Sequence, residues 1–170
     1  MLQELKNLSN HMFWADSTIW QEVIKLSNKK DIHDLHNLML HIHSNQHANF
    51  NIWQNKPLPD FDKVKLKTLP ELYNWGMDFH QKNREFIGGL SEQKLNETIT
   101  LPWIKSFQED FGKLPEETSL TDTIYQVILH AAYHRGQVNT KIRLHGGEPP
   151  LTDFIYWVWL NKPMPEIIEI

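Results

Sequence analysis

Residues 124–150 read IYQVILHAAYHRGQVNTKIRLHGGEPP. The apolar residues of this stretch recur at the spacing of an amphipathic helix. His130 and His134 stand four residues apart, which places both rings on one helical face, about one turn apart. Two imidazoles in this arrangement can chelate one metal ion if a third ligand comes from elsewhere in the fold. Gly146 and Gly147 then predict the end of the helix, and two prolines prevent it from resuming.

A helix that is rich in histidine is the expected source of the third ligand. This second helix of the chain is predicted from about Ile32 to Asn55, before Pro57 and Pro59, with Asp31 as a plausible N-cap. Its candidate ligands are His41, His43 and His47.

Periodicity does not choose among these three histidines. His41 lies about 120° to one side of the centre of the apolar stripe, and His43 and His47 lie to the other side. All three therefore stay open as ligands at this stage. The remaining histidines are interpreted as structural or surface residues: His11, His33, His36, His80 and His145.

Three further segments complete the helical pattern. A first helix is predicted over Leu2–Leu26, before a polar break at residues 27–30. A third helix begins after Thr68, which has Glu71 at the capping-box spacing, and ends at the two glycines at positions 88 and 89. The fourth helix is the one that carries His130 and His134, with Ser119 as its cap and Asp122 three residues later.

Two regions break the helical rhythm. Residues 91–119 contain a β-prone run, Thr98 to Leu101, and several prolines and glycines, which predicts a short irregular hairpin or extended excursion between the third and fourth helices. Residues 154–160 predict a short C-terminal helix. The whole is expected to be one all-α domain over residues 1–170, a four-helix bundle with these additions.

Composition narrows the class of protein. The 170 residues carry a formal net charge of -4 with no basic stripe, which argues against nucleic-acid binding. Cysteine is absent, so thiolate metal ligands are excluded. No signal peptide is apparent and the longest apolar run is too short for a membrane span, so a cytoplasmic protein that does not enter the membrane is expected.

Several other residues have a structural and a functional interpretation. Arg135 is expected on the surface rather than in an ion pair with a neighbouring helix. Gly136, in mid-helix, either permits close helix approach or has no role. Core packing is the default expectation for four tryptophans: Trp53, Trp103, Trp157 and Trp159.

The sequence resembles the DinB/YfiT-like superfamily of bacterial metal-binding four-helix bundles. HAAYHRGQVNTKIRLHGGEPPLTDFIYWVW, from His130 to Trp159, is similar to the signature of that family's last helix. FWADSTIW resembles its first helix, and LMLHIHSNQHANFNIWQNKPLP resembles its second, in which a metal histidine precedes a tryptophan by twelve residues, here His41 and Trp53. The resemblance covers nearly the whole chain.

This resemblance implies helices in up-down-down-up order and a site for a divalent ion, zinc or nickel, held by His41, His130 and His134. One departure is that Ala131 and Ala132 stand where many relatives carry polar residues, which removes a possible hydrogen-bond partner for the ligand rings.

Three protein ligands leave a coordination position open, as in catalytic sites. The working hypothesis is a metal-dependent transferase or hydrolase that activates a low-molecular-weight thiol or water, with Tyr133 and Gln137 as candidates for orienting substrate or supporting the ligands. The alternatives are a non-enzymatic metal-binding or stress-response protein and a bundle with a vestigial site. A homodimer is expected by analogy.

Overall fold

Four long helices dominate a computed structural model that describes residues 1–28 and 31–168. They are α1 (Leu2–Ser27), α2 (His33–Trp53), α4 (Leu69–Gly88) and α7 (Leu120–Leu144). Four short helices lie between or after them: α3 (Phe61–Val64), α5 (Glu92–Leu95), α6 (Ile104–Phe111) and α8 (Phe154–Trp159). The all-α prediction is confirmed for the described residues. Lys29 and Lys30 of the predicted polar break and residues 169–170 lie outside them.

Each long helix packs against two principal neighbours. α1 and α2 both contact α4 and α7. The shared core is formed by apolar side chains that are almost completely buried, including Leu5, Trp20, Met39, Phe79 and Ile142. These residues come from all four long helices, so none of the four can bury its apolar face without the others.

Local sequence signals set the ends of these helices. Glu71 accepts hydrogen bonds from the backbone N–H and the hydroxyl of Thr68, at 2.7 Å each. Asp122 accepts from the Ser119 N–H at 2.9 Å, and its own N–H donates to the Ser119 hydroxyl at 3.1 Å. Both predicted caps are therefore present.

The predicted N-cap of α2 is wrong. Ile32 occupies that position, and the carboxylate of Asp31 accepts a hydrogen bond from the N–H of His33.

The α7 helix stops where the glycine pair predicts. Gly146 has a φ of 73°, a left-handed conformation that glycine adopts without steric cost. The turn that follows leads into α8, the predicted C-terminal helix.

The excursion between α4 and α7 is more helical than expected. The β-prone run contributes one isolated antiparallel bridge, Thr98 to Ser119, rather than a hairpin, and α5 and α6 occupy much of the rest. The pattern also missed α3, whose N-cap Asp60 accepts from the Lys63 N–H. α3 and α5 span four residues each, too few for a periodic pattern. α6 carries Ile104, Phe107 and Phe111 at helical spacing, a signal that the sequence prediction did not use.

The core-packing expectation for the four tryptophans is half right. Trp53 and Trp157 are buried, but Trp103 is 40% exposed and Trp159 is 71% exposed. Both exceptions lie in or beside short helices that cover the bundle only partly. Across residues 1–28 and 31–168, no helix has both the length and the apolar character of a membrane span.

Candidate metal centre

Three histidine rings from two helices converge on one point. The Nε2 atom of His41, on α2, lies 3.1 Å from Nε2 of His130 and 3.1 Å from Nε2 of His134, both on α7. One nitrogen from each ring lies within 4.8 Å of the others. His41 is exposed, whereas His130 and His134 are half-buried, so the group opens toward solvent.

The spacing fits a shared metal ion. Two nitrogens bound to zinc at about 2.0–2.1 Å in a tetrahedral arrangement lie roughly 3.3 Å apart. The observed separations are close to this value. Hydrogen bonding alone does not account for the cluster, because one proton on the Nε2 atom of His41 can be donated to only one of its two neighbours. A cation at the centre would satisfy all three lone pairs.

One ring of the three-histidine cluster is held in place by a hydrogen bond on its far side. The Nδ1 atom of His134 lies 2.8 Å from Oε1 of Gln137, so Nδ1 carries the proton and donates it, which leaves the Nε2 lone pair free. Gln137 thus supplies the kind of partner that the alanines before His134 do not. The ring of Tyr133 packs edge-on against His134 and is largely exposed, so its hydroxyl is positioned at the rim rather than in the core.

Electrostatics keep the two other rings neutral. Burial, together with the smaller effects of the neighbouring His134 and His41, lowers the pKa of His130 to about 4. Burial and the proximity of His134 also lower the pKa of His41. Neutral imidazole is the form that binds metal, so these rings are ready to act as ligands near pH 7 without first releasing a proton.

Contacts on both sides of the cluster fix α2 against α7. Toward one end, the indole N–H of Trp53 donates to the hydroxyl of Thr123 at 2.9 Å. Toward the other end, the carboxylate of Asp34 pairs with Lys141 at 3.2 Å and with His145 at 2.8 Å. These two anchors hold the helix that carries His41 against the helix that carries the other two rings.

A buried ion pair lies next to the cluster in sequence. Arg135, which follows His134, is 5% exposed, and its Nη1 atom lies 2.8 Å from Oδ1 of Asp16 on α1. The expectation of a surface arginine is therefore wrong. Arg135 follows Ala131 by four residues and precedes Val138 by three, so it faces the core, and only a buried carboxylate makes that position tolerable.

Asp16 is the centre of a polar network that joins the four long helices. Its Oδ2 atom accepts from Nε2 of Gln46 at 2.8 Å and lies 3.0 Å from Nε2 of His80. Burial by itself raises the pKa of this carboxyl, but the charge of Arg135 and the contact with His80 outweigh it and hold the pKa well below its usual range. Asp16 is thus a carboxylate at neutral pH.

The network extends from Gln46 through His43 to Trp20 on α1. Each residue of this chain donates a hydrogen bond to the next one toward Asp16. The indole N–H of Trp20 donates to Nε2 of His43 at 2.8 Å, and Nδ1 of His43 donates to Oε1 of Gln46 at 2.6 Å. Both ring nitrogens of His43 are therefore occupied, and burial lowers its pKa to about 4. His43 is a structural residue here and does not lie in the three-histidine group.

The other alternative ligand is also engaged elsewhere. His47 stacks on Trp75 with ring centroids 4.0 Å apart, and its Nε2 atom lies 2.8 Å from the Trp75 carbonyl oxygen. Burial lowers its pKa to about 4. Of the three histidines that periodicity left open, His41 alone reaches the α7 pair.

The chain matches one protein family over almost its full length. The family described as "DinB family" matches residues 1–164. The chain belongs to the DinB family. No curated protein matches the sequence at a significant level. Members of the DinB family usually bind a metal ion, and the three-histidine group is compatible with that property.

In this DinB-family protein, sequence reasoning missed the residues beneath the site. Asp16 lies in the FWADSTIW stretch, among apolar residues of α1, and a lone carboxylate at such a position indicates a buried partner. Gly76 is the second missed residue. A Cβ added there would overlap the ring of His43, whereas one added at Gly136 would meet no atom within 4 Å. The glycine that close approach requires is thus Gly76, not Gly136.

Proposed function

We propose that this DinB-family protein binds one divalent metal ion through His41, His130 and His134 and acts as a metal-dependent transferase or hydrolase. The observation that carries the proposal is the convergence of three Nε2 atoms at a separation suited to a shared ion. Three protein ligands leave at least one coordination position available, which is the arrangement of catalytic rather than structural sites.

The chemistry assigned to the ion is activation of a nucleophile. A divalent ion held by neutral ligands lowers the pKa of a water or a low-molecular-weight thiol that binds to it, so that the nucleophile is formed near neutral pH. The side chains divide the remaining work. Gln137 fixes the orientation of one ligand ring, and Tyr133, exposed beside it, is the candidate for contacting an electrophilic substrate.

The metal proposed is zinc or nickel. Imidazole nitrogen is a suitable donor for both, although the order of intrinsic affinities places copper above either of them. Metal supply in the cell then contributes to the choice.

A second candidate is a non-enzymatic metal-binding or stress-response dimer. Exposed apolar side chains favour it, since Leu129 and Tyr133 on α7 are each about two-thirds exposed and Trp159 on α8 is 71% exposed. Such residues are candidates for a contact between two copies of the chain. The vestigial-site alternative predicts that purified protein takes up no metal.

The up-down-down-up order of helices is also part of the proposal. The pairs Ser9–Asn83 and Asp16–His80 support α1 running antiparallel to α4. The contacts of Asp16 with Arg135 and of Glu22 with the N–H of Glu148 support α1 running parallel to α7. This order brings the His41 segment of α2 alongside the α7 pair.

Metal reconstitution tests the binding step. Chelator-treated protein is dialysed against zinc, nickel or cobalt, and bound metal is measured by elemental analysis. One equivalent per chain is expected for the parent protein, and substitution of His41, His130 or His134 by alanine should abolish it. His33→Ala is the matched control, because His33 is an exposed histidine on α2 outside the cluster. Equal metal uptake by all four variants would refute the site.

Turnover distinguishes the enzyme from the binding protein. Reconstituted protein is incubated with a panel of thiols and electrophiles, with and without chelator. Chelator-sensitive product formation that His130→Ala eliminates supports the enzyme. Stoichiometric metal binding without turnover across the panel, together with a dimer in solution, favours the second candidate instead.

A further inference from the structure

A cleft with a mixed polar and apolar lining begins at His130 of the cluster and runs between α2 and α7. Its volume is about 550 Å³. Residues of both helices and of the excursion before α7 line it. Those that bear on its chemistry are Asn45, Asn49, Trp103, Asp122, Gln126 and His130. We call this the α2–α7 cleft.

The cleft residues continue the rows of the metal ligands. Asn45 and Asn49 follow His41 at intervals of four along α2, and Gln126 and Asp122 precede His130 at intervals of four along α7. Residues four apart lie on one helical face. Each row therefore extends roughly 12 Å beyond its histidine, at 1.5 Å per residue. A molecule held at the cluster by one end can lay its other end along the cleft.

Asn49, in the inner wall of the cleft, is completely buried and contains an acceptor that lacks a donor among the described residues. The side-chain nitrogen of Asn49 donates to the carbonyl oxygen of Asn45 at 2.9 Å, which fixes the amide orientation because a carbonyl can only accept. The Asn49 side-chain oxygen therefore faces away, and it is buried without a hydrogen-bond partner among the described residues. An unpaired buried acceptor is costly, and a ligand N–H or O–H would satisfy it.

Charge in the cleft has one sign. Asp122 is the carboxylate in its lining, and no lysine or arginine is among the described residues that line it. Hydrogen bonds from the side chain and the backbone of Ser119 lower the pKa of Asp122, so it is ionised at neutral pH. The indole of Trp103, at the outer edge, adds a ring face that attracts cations.

We infer that the α2–α7 cleft binds the tail of the substrate that reaches the metal, and that this tail carries hydroxyl or amino donors rather than negative charge. The inference rests on the proposed function, because it assumes a nucleophile held at the three-histidine group. Asn49 is assigned as a specificity-determining residue that accepts a hydrogen bond from the tail, and Asp122 as the residue that repels anionic tails.

Three six-carbon thiols that differ only at the far end provide the test. They end in an amine, an alcohol or a carboxylate, and ethanethiol, which has no polar tail, reports on the metal position alone. Each is titrated into cobalt-loaded protein, and binding is followed by the change in the visible spectrum. The amine and alcohol should bind at least fivefold more tightly than the carboxylate. Affinities of all three within twofold of one another would overturn the inference.

Two variants assign the effect to residues. Asn49→Leu should weaken the amine and alcohol thiols at least threefold and leave ethanethiol unchanged, whereas Asn37→Leu, at an exposed asparagine elsewhere on α2, should change none of them. Asp122→Asn should narrow the preference for amine over carboxylate. An equal loss for ethanethiol in Asn49→Leu contradicts the inference. If cobalt does not bind to the parent protein, the proposed function and this inference are both overturned. If cobalt binds but the three thiols have equal affinities, the inference alone is overturned.

Discussion

Replacement of Arg135 by methionine should reveal how much the buried network stabilises the fold. Asp16 is completely buried, and Arg135 is its positively charged partner at 2.8 Å. Methionine keeps much of the length and apolar contact of the arginine stem and removes the charge. The carboxylate of Asp16 would then retain only Gln46 and His80, at 2.8 and 3.0 Å.

The expected loss is large for one substitution. Removing one partner of a buried ion pair costs about 3–5 kcal/mol, because the other charge is left without compensation. For a chain of this size, each kcal/mol lowers Tm by about 2–4 °C, so Tm should fall by roughly 6–20 °C. Because Gln46 and His80 still contact Asp16 in the variant, we expect the free-energy cost and the fall in Tm to lie toward the lower ends of these ranges.

The pH dependence identifies the mechanism. In the parent protein the pKa of Asp16 is lowered on folding, so its stabilising contribution is present above its unfolded pKa of about 4 and is lost below it. Without Arg135, burial should raise the folded pKa above the unfolded value, and the variant then loses stability as pH rises above about 4. The difference between the two proteins should therefore be widest near pH 7.5 and narrow toward pH 4.5.

Urea unfolding followed by circular dichroism at both pH values measures these differences. The double variant Asp16→Asn/Arg135→Met removes both charges and should recover part of the lost stability. Arg143→Met, at an exposed arginine near the end of α7, is the matched control and should stay within about 0.5 kcal/mol of the parent. The reasoning is refuted if Arg135→Met is within 1 kcal/mol of the parent, or if its deficit is the same at both pH values.

Three further outcomes are expected. In urea unfolding, Gly76→Ala should lower the free energy of unfolding by about 1–3 kcal/mol, because the added Cβ overlaps the ring of His43. Gly136→Ala should raise it by about 0.5–1 kcal/mol, because the added Cβ meets open space and alanine favours the helix. Changes of the same sign for both variants would contradict the packing argument. Stability should fall as pH drops from about 6.5 to about 4, by about 1.4 kcal/mol per pH unit for each of His43 and His47, because the unfolded state takes up protons that the buried rings refuse. His47→Gln should show a shallower slope in urea titrations over this range, and an unchanged slope would count against it. Gln137→Leu should lower zinc affinity about 10- to 100-fold in competition titrations while one equivalent still binds at saturation; unchanged affinity would show that this hydrogen bond does not orient the ligand.

The positions of the long helices were predictable because the signals that define them are local. The Thr68–Glu71 and Ser119–Asp122 caps each involve residues three apart, and Gly146 acts within the turn it forms. Such contacts exist as soon as the segment is helical, whatever surrounds it. The four-residue helices α3 and α5 are too short to show a periodic face, so the same method did not detect them, and the apolar spacing of Ile104, Phe107 and Phe111 in α6 was not recognised.

The α7 half of the candidate site was equally local, since the spacing of His130 and His134 places both rings on one face. The third ring was not. His41, His43 and His47 are all on α2, and their separation into one cluster member and two buried structural residues depends on which neighbouring helix each one faces. The resemblance to a family pointed to His41, but the periodicity of α2 contains no such information.

The sequence by itself determined the approximate bounds of the four long helices and which face of α7 carries two imidazoles, because those properties depend on residues within one or two turns. Tertiary structure decided that His41 meets His134 across 93 residues and that Arg135 meets Asp16 across 119 residues. An isolated arginine on a helix prefers solvent, and it becomes a core residue only when another helix presents a carboxylate at the same depth. That requirement belongs to the pair of helices, so neither segment expresses it alone.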